Sequence, residues 1–312
     1  MERIFSASDE IKKVIKGKDD IIEQVMLAIL SNGHVLLEDI PGVGKTTLAM
    51  AVSRVMGLKY KRMQFTPDVM PSDVTGFSMF NSKTNEFEFR PGGVMCNLFL
   101  ADEINRTSPK TQSALLEVME EGKVTVDGIT HELPMPFVVI ATQNPFGSSG
   151  TQKLPQSQMD RFLMCISMGY PDSKNEIAIL KGSRKNKMDV LEEKLNAPIL
   201  LKIQQAVEEQ YVDESIYDYI VEIANRTRES ENFSMGISPR GSIAMLKVAK
   251  AKAFLSRRSY VIPQDIIDIH SIVCAHRVEL SPQAAANGLT PKTALKAIID
   301  ATPMPKVTTA KK

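Results

Sequence analysis

The chain has 312 residues, 43% hydrophobic and 24% charged, with a formal net charge of +1 at pH 7. Those proportions exclude a disordered chain and supply enough apolar material for the cores of roughly two domains. The balanced charge argues against an overall basic nucleic-acid surface or an acidic tail. Cys96, Cys165 and Cys274 are few and widely spaced, which fits reduced thiols better than a disulfide framework.

The N-terminal MERIFSASDE lacks the charged-then-apolar order of a signal peptide, and no apolar run approaches the ~18 residues of a membrane span. The expected compartment is the cytoplasm. The first expected strand, Val35–Leu37, leads into Pro41-Gly42-Val43-Gly44-Lys45-Thr46-Thr47, and Leu48, Ala49 and Val52 then open a helical pattern. Strand, glycine-bearing turn, Lys-Thr and helix in that order are the context of a phosphate-binding loop. The glycines let backbone N–H groups turn toward phosphate oxygens, and the helix start adds favourable partial charge. Lys45 can reach the β- and γ-phosphates of ATP, and the Thr46 hydroxyl can bind Mg²⁺. One position departs from G-x-x-x-x-G-K-[ST]: Asp39 stands where the first glycine is expected.

Tyr60–Phe65 is a weaker strand candidate. Phe77–Phe89 reads as a hairpin, aromatic at both ends and polar over Asn81–Asn85. Next, Leu98–Ala101 is an apolar strand ending in Asp102 and Glu103. Beside the phosphate loop, such a strand brings Asp102 to the metal and sets Glu103 to polarise the attacking water. Ser108 and Pro109 occupy N-cap and N1 positions of a helix stopped by Gly122. Lys123–Leu133 is a second hairpin, turning at Asp127-Gly128. Phe137–Ala141 is a buried strand followed by Thr142-Gln143-Asn144, and Phe162–Ile166 is a further strand. Apolar runs alternating with helical patterns predict a parallel sheet wrapped by helices.

After about Pro171 the strand runs largely disappear and helical periodicity takes over, as in Ile243, Leu246, Ala249 and Ala253. Ser238-Pro239 and Pro263 mark helix starts, and the charged Ser183–Lys194 reads as a linker. The expected organisation is an α/β nucleotide-binding domain over 1–189, an all-α lid over 190–302 and a frayed tail over 303–312. His270, Cys274 and His276 lie close on an expected helix, but two ligands on one face do not make a structural zinc site, so packing is the expected role.

In order, spacing and wording the chain resembles the MoxR family of AAA+ ATPases, in the helix-2-insert clade, from about Val14 to Val278. The resemblance rests on five blocks: His34–Thr46, Ala101–Thr107, Ala141–Pro145, Leu154–Phe162 and Ser238-Pro239-Arg240. Asp39 in the phosphate loop is tolerated in this family. The resemblance implies a sensor-1 role for Asn144, an arginine finger at Arg161 acting on ATP held by a neighbouring subunit, and a sensor-2 arginine at Arg240. Arg106 is a second candidate for the arginine that crosses the interface. Phe77–Phe89 corresponds to the helix-2 insert and Lys123–Leu133 to the pre-sensor-1 hairpin, while Ile15 and Gly17 fall where the family's N-terminal segment covers the adenine.

The resemblance also implies a homo-oligomeric ring, usually a hexamer, that hydrolyses ATP with Mg²⁺. It would mature protein complexes, including metal-cofactor insertion, often beside a von Willebrand factor A domain protein. Two other readings stay open at this point: a nucleic-acid-dependent AAA+ motor and a magnesium-chelatase-like motor subunit. The hairpins set Lys83 against Glu86 and Glu88, and Lys123 against Asp127 and Glu132, a poor footprint for nucleic acid.

Overall fold

The computed structural model describes residues 2–40, 42–144, 154–182 and 187–305. Two helices, α1 (Glu2–Lys12) and α2 (Asp19–Leu30), precede β1 (Val35–Glu38), α3 (Lys45–Val55) and β2 (Tyr60–Gln64). A short α4 (Pro71–Thr75) introduces the hairpin β3 (Gly76–Asn81) and β4 (Glu86–Pro91). Then come β5 (Leu98–Asp102), α5 (Pro109–Glu121), the hairpin β6 (Lys123–Val126) and β7 (Ile129–Glu132), and β8 (Val138–Gln143). A single turn, α6 (Gln156–Met159), leads into β9 (Met164–Ile166) and α7 (Ser173–Gly182). The remainder is α8 (Ala197–Glu208), α9 (Glu214–Glu229), β10 (Phe233–Met235), α10 (Pro239–Leu255), α11 (Pro263–Cys274), β11 (Glu279–Leu280), α12 (Pro282–Ala286) and α13 (Pro291–Ala301).

The central sheet has the order β2-β5-β8-β1-β9, and every pairing in it is parallel. Helices must therefore cover both faces, and the central strands read as continuous apolar runs. Period-2 alternation divides them between two cores. Val35, Leu37, Leu98, Leu100, Val138 and Ile140 face the larger core. Leu36, Phe99, Ala101, Val139 and Ala141 face the smaller one, under α5 and the hairpins.

The larger core runs without a break into the C-terminal helices, through Leu200, Ile220, Met245, Val248 and Ile266. Those helices are also bonded to α2: Gln204 Nε2 donates to the Ile29 carbonyl at 2.7 Å, and Ser31 Oγ to the Lys247 carbonyl at 3.2 Å. The helical half is not purely helical, since β10 and β11 form a small antiparallel pair. Part of the expected linker is fastened down. The N–H groups of Lys194 and Leu195 both donate to the Val55 carbonyl, and Leu191 and Leu195 are buried. Among the described residues no helix is long and apolar enough to cross a membrane.

Helix α5 has the ends its sequence specifies. Ser108 Oγ accepts from Thr111 N at 3.3 Å, Pro109 fills the first turn, and Gly122 closes the helix at φ 66°. Its first turn is anchored from within, because the buried Gln112 amide donates to the carbonyls of Ile104 and Thr107 at 3.2 Å each.

Candidate functional site

The phosphate loop leaves the end of β1 and enters α3, as its residue order requires. Gly42 and Gly44 adopt φ of 87° and 99°, conformations that favour glycine over any residue with a Cβ. Pro41 lies outside the described residues. Gly42, Gly44, Lys45, Thr46 and Thr47 line a cleft of ≈ 360 Å³ together with Arg62, Gln64, Asp102, Glu103 and Asn144. Val43 packs against the larger core. The buried Lys45 donates to the Asp39 carbonyl at 2.6 Å. Burial pushes its ammonium below the usual lysine range, against the opposing pull of the Asp39, Asp102 and Glu103 carboxylates.

Asp39, the departure from the glycine pattern, has a structural job. Its Oδ2 accepts from Gly169 N at 2.5 Å and from Ser167 Oγ at 3.1 Å, so its carboxylate ties the loop to the turn after β9. The N-terminal segment grips the same turn: Lys18 Nζ donates to the carbonyls of Met168, Gly169 and Tyr170, the last at 2.8 Å. Ile15 is buried nearby in sequence. Gly17 sits at φ 67°, where an added Cβ would lie 2.1 Å from the Asn175 side chain. Gly17 thus packs against the start of α7, beside the Lys18 that holds the turn tied to the loop by Asp39.

The two acids are ordered by a single hydroxyl. Thr142 Oγ1 donates to Asp102 Oδ1 at 2.6 Å and accepts from Glu103 N at 2.8 Å. Asp102 Oδ2 accepts from Arg62 Nη2 at 2.7 Å and from its Nε at 3.1 Å. Glu103 is held in the left-handed region at φ 58°, ψ 48°, a conformation that costs on the order of 1 kcal/mol and clusters at functional sites. Three donors fix its carboxylate: Asn144 Nδ2 at 2.9 Å, Gln64 Nε2 at 2.8 Å and Arg106 Nη1 at 2.8 Å.

Arg161 and Arg240 are elsewhere. They line a second cleft, of ≈ 340 Å³, with Asn32, Gly33 and His34 before β1, Phe137 before β8 and Leu163 before β9. Those are the N-terminal ends of the parallel strands, whereas the phosphate cleft lies at their C-terminal ends. At about 3.3 Å per residue, four-residue β1 alone separates the two edges by roughly 13 Å. The arginines are neighbours: Glu120 Oε1 accepts from Arg240 Nη2 at 2.5 Å, and Glu120 Oε2 lies 3.5 Å from Arg161 Nε. Asp160, next to Arg161, accepts from Ser238 Oγ and from Arg277 Nε, each at 2.9 Å. The turn bearing Arg161 is thereby stitched to the helix start bearing Arg240.

Residues 34–164 match the ATPase family associated with various cellular activities (AAA), and residues 225–298 match the AAA lid domain. The chain is 48% identical to the uncharacterized protein YeaC of Bacillus subtilis, covering 96% of this chain and 94% of that protein. It is 38% identical to Chaperone MoxR1 of Mycobacterium tuberculosis, covering 96% and 81% respectively. The chain belongs to the MoxR family of AAA+ ATPases. A crystal structure of a candidate ATPase from Cytophaga hutchinsonii superposes on this MoxR-family chain with a TM-score of 0.90 at 35% identity, covering 98% of this chain and 96% of that one. As a member of the family the chain binds and hydrolyses ATP, and its α/β sheet with a C-terminal helical lid is the family's fold.

Sequence reasoning missed several partners within this MoxR-family site. Arg62 and Gln64 lie two apart on β2, which was expected as the weaker strand Tyr60–Phe65, but nothing in that run showed that the two side chains would reach the acids of β5. Thr142 was visible within Thr142-Gln143-Asn144, yet its hydroxyl bridge depends on the parallel pairing of β5 and β8. Arg106 pairs with Glu103 of its own chain and does not line the Arg161 cleft. At His270, Cys274 and His276, where packing was expected, Cys274 is fully buried and His270 Nδ1 is 2.5 Å from the Ile267 carbonyl. Among the described residues no group of three or more His, Cys, Asp or Glu is placed to hold a metal ion.

Proposed function

We propose that this chain works as a ring-forming, chaperone-like ATPase in which each ATP is handled by two subunits. One subunit contributes the phosphate loop and acids, and its neighbour contributes Arg161 and Arg240. The observation that carries this reading is the separation of the arginines from their own chain's phosphate cleft by the full depth of the sheet. Residues 1–189 serve as the nucleotide-binding part and 190–302 as the lid, which agrees with the matched segments.

Within one subunit, Lys45 neutralises charge on the phosphates while backbone N–H groups of the loop cradle them. The donor set suits Mg²⁺: the Thr46 hydroxyl and the Asp102 carboxylate are oxygen ligands lining one cleft, and this ion is commonly held by one or two carboxylates plus substrate phosphates. When bound, it supplies positive charge to the β- and γ-oxygens. Thr142 and Arg62 keep Asp102 oriented. Glu103 accepts a proton from the attacking water, and Asn144 positions the Glu103 carboxylate and can turn its amide toward the γ-phosphate. Charge developing on the transferred group is met by the neighbour's Arg161 and Arg240. An arginine supplied in trans raises turnover by roughly 10³–10⁵.

The test is complementation. Arg161→Ala subunits are expected to bind ATP without turning it over, and Lys45→Ala subunits to bind none. Mixed together, they should recover a fraction of activity set by the ratio. No recovery at any ratio sinks the shared site.

A protein client is favoured over nucleic acid by the hairpin surfaces. Phe77, Phe80, Phe87 and Ile129 are exposed there, Phe87 at 74%, and Lys83 is outnumbered by Glu86 and Glu88. A hexameric ring, a cytoplasmic location, maturation of complexes with metal-cofactor insertion, and a von Willebrand factor A domain partner complete the proposal on family resemblance. Capture of such a partner by ATP-locked Glu103→Gln protein, against salt-dependent DNA binding, separates the two client classes.

A further inference from the structure

Of the three arginines that line the second cleft, Arg161 and Arg240 share one carboxylate, and it comes from an element that bears neither. Arg161 follows α6, Arg240 opens α10, and Asp160–Ser238 joins those two segments. Glu120 belongs to the last turn of α5 and reaches across to both guanidinium groups. Two adjacent guanidinium groups repel each other, and a single carboxylate offset by two oxygens satisfies them much as two phosphate oxygens would. The contacts are unequal. Arg240 makes a short hydrogen bond, whereas Arg161 Nε, although buried, has no hydrogen-bond partner among the described residues and is held by charge alone.

We infer that Glu120 is a placeholder anion: it engages the Arg161–Arg240 pair within a subunit and must release it before the pair can take the γ-phosphate of ATP on an adjoining subunit. The inference rests on the shared-site reading above. A triphosphate brought against a bound carboxylate meets like charge, so the two anions compete for the same two cations. The exchange is feasible because all three side chains are partly solvated, with 33% to 45% of their surface exposed, where ion pairs are weak. Glu120 can also withdraw without disturbing Asp160, Ser238 or Arg277, whose bonds do not involve it. Subunits whose arginines are occupied by Glu120 are not competent to complete a neighbour's site, and that fraction lowers the apparent affinity of one subunit for the next.

The experiment is ATPase activity per subunit as a function of subunit concentration, at saturating ATP, for the wild type, Glu120→Gln and Glu120→Ala. Glutamine keeps the side-chain length and removes the charge. Both variants are expected to reach half-maximal specific activity at a subunit concentration about five-fold lower. Maximal turnover should stay within about two-fold, as for a surface substitution. A merely structural role would lower maximal turnover and leave the midpoint in place, and either an unmoved midpoint or a loss as deep as that of Arg161→Ala overturns the placeholder. The complementation of Arg161→Ala by Lys45→Ala, run in parallel, separates the two failures. Recovery there with an unmoved midpoint removes the placeholder alone, while no recovery removes the shared site and the placeholder with it.

Discussion

At the C-terminal ends of the strands, the acids are locked by neighbours in their own chain: Glu103 has three donors, and Asp102 is held by Thr142 and Arg62. At the N-terminal ends, Arg161 and Arg240 share one partly exposed acid. The two edges of one sheet are thus built to different tolerances. On the proposed function, the groups that would meet phosphate, metal and water in a fixed geometry are pre-oriented, since an error of an ångström in such a site is expensive. Those that would be offered to a neighbouring subunit are held by contacts that exchange easily.

The sharpest way to break this comparison is Lys45→Ala. Removing the buried ammonium should abolish detectable ATP binding, a loss of at least about 100-fold read by fluorescent-nucleotide titration, and turnover with it. Unchanged affinity would mean that the tightly built edge is not where the phosphates sit. Next in size is Glu103→Gln, expected to keep nucleotide affinity and lower turnover by roughly 10²–10⁴. Turnover close to that of the wild type would remove the proton-accepting role and leave the left-handed backbone at Glu103 without a purpose.

The smallest effect probes the other edge through acid. His34 accepts from Val139 N at 3.0 Å through Nδ1, and its Nε2 is 2.9 Å from the Met119 carbonyl, an arrangement that requires the neutral ring. Burial pushes its pKa down to about 4, against the Met119 carbonyl. A folded pKa below the unfolded value of about 6.5 means stability is intact above pH 6.5 and falls as the pH drops toward 4. One side of the ring faces the cleft, so the loss between pH 7 and pH 5 is on the order of 1–2 kcal/mol. His276, whose pKa burial also lowers, acts in the same direction. Urea midpoints that stay level from pH 7 to pH 5 would refute it, and His34→Gln should flatten the slope.

Much of this was legible in the residues. The strands β1, β5, β8 and β9 declared themselves as apolar runs because a parallel sheet buries both faces, and α5 was bounded by Ser108, Pro109 and Gly122. The phosphate loop and the acids at the end of β5 were readable because their chemistry depends on local order. What stayed hidden depends on packing across elements. No spacing rule brings Glu120 to Arg161 and Arg240, which lie 41 and 120 residues further along the chain. Nor does a pattern requiring glycine at position 39 anticipate an aspartate whose carboxylate reaches the Gly169 amide.

Helix α5 reaches from one edge toward the other. Its buried Gln112 grips the segment that carries Arg106, which pairs with Glu103, and thirteen residues of helix, about 20 Å, end beside Glu120. A helix is stiff along its axis, so a shift imposed at the acid-bearing end emerges little diminished at the far end. Like a connecting rod, in the proposed ring it would let the state of one subunit's nucleotide be felt by the next.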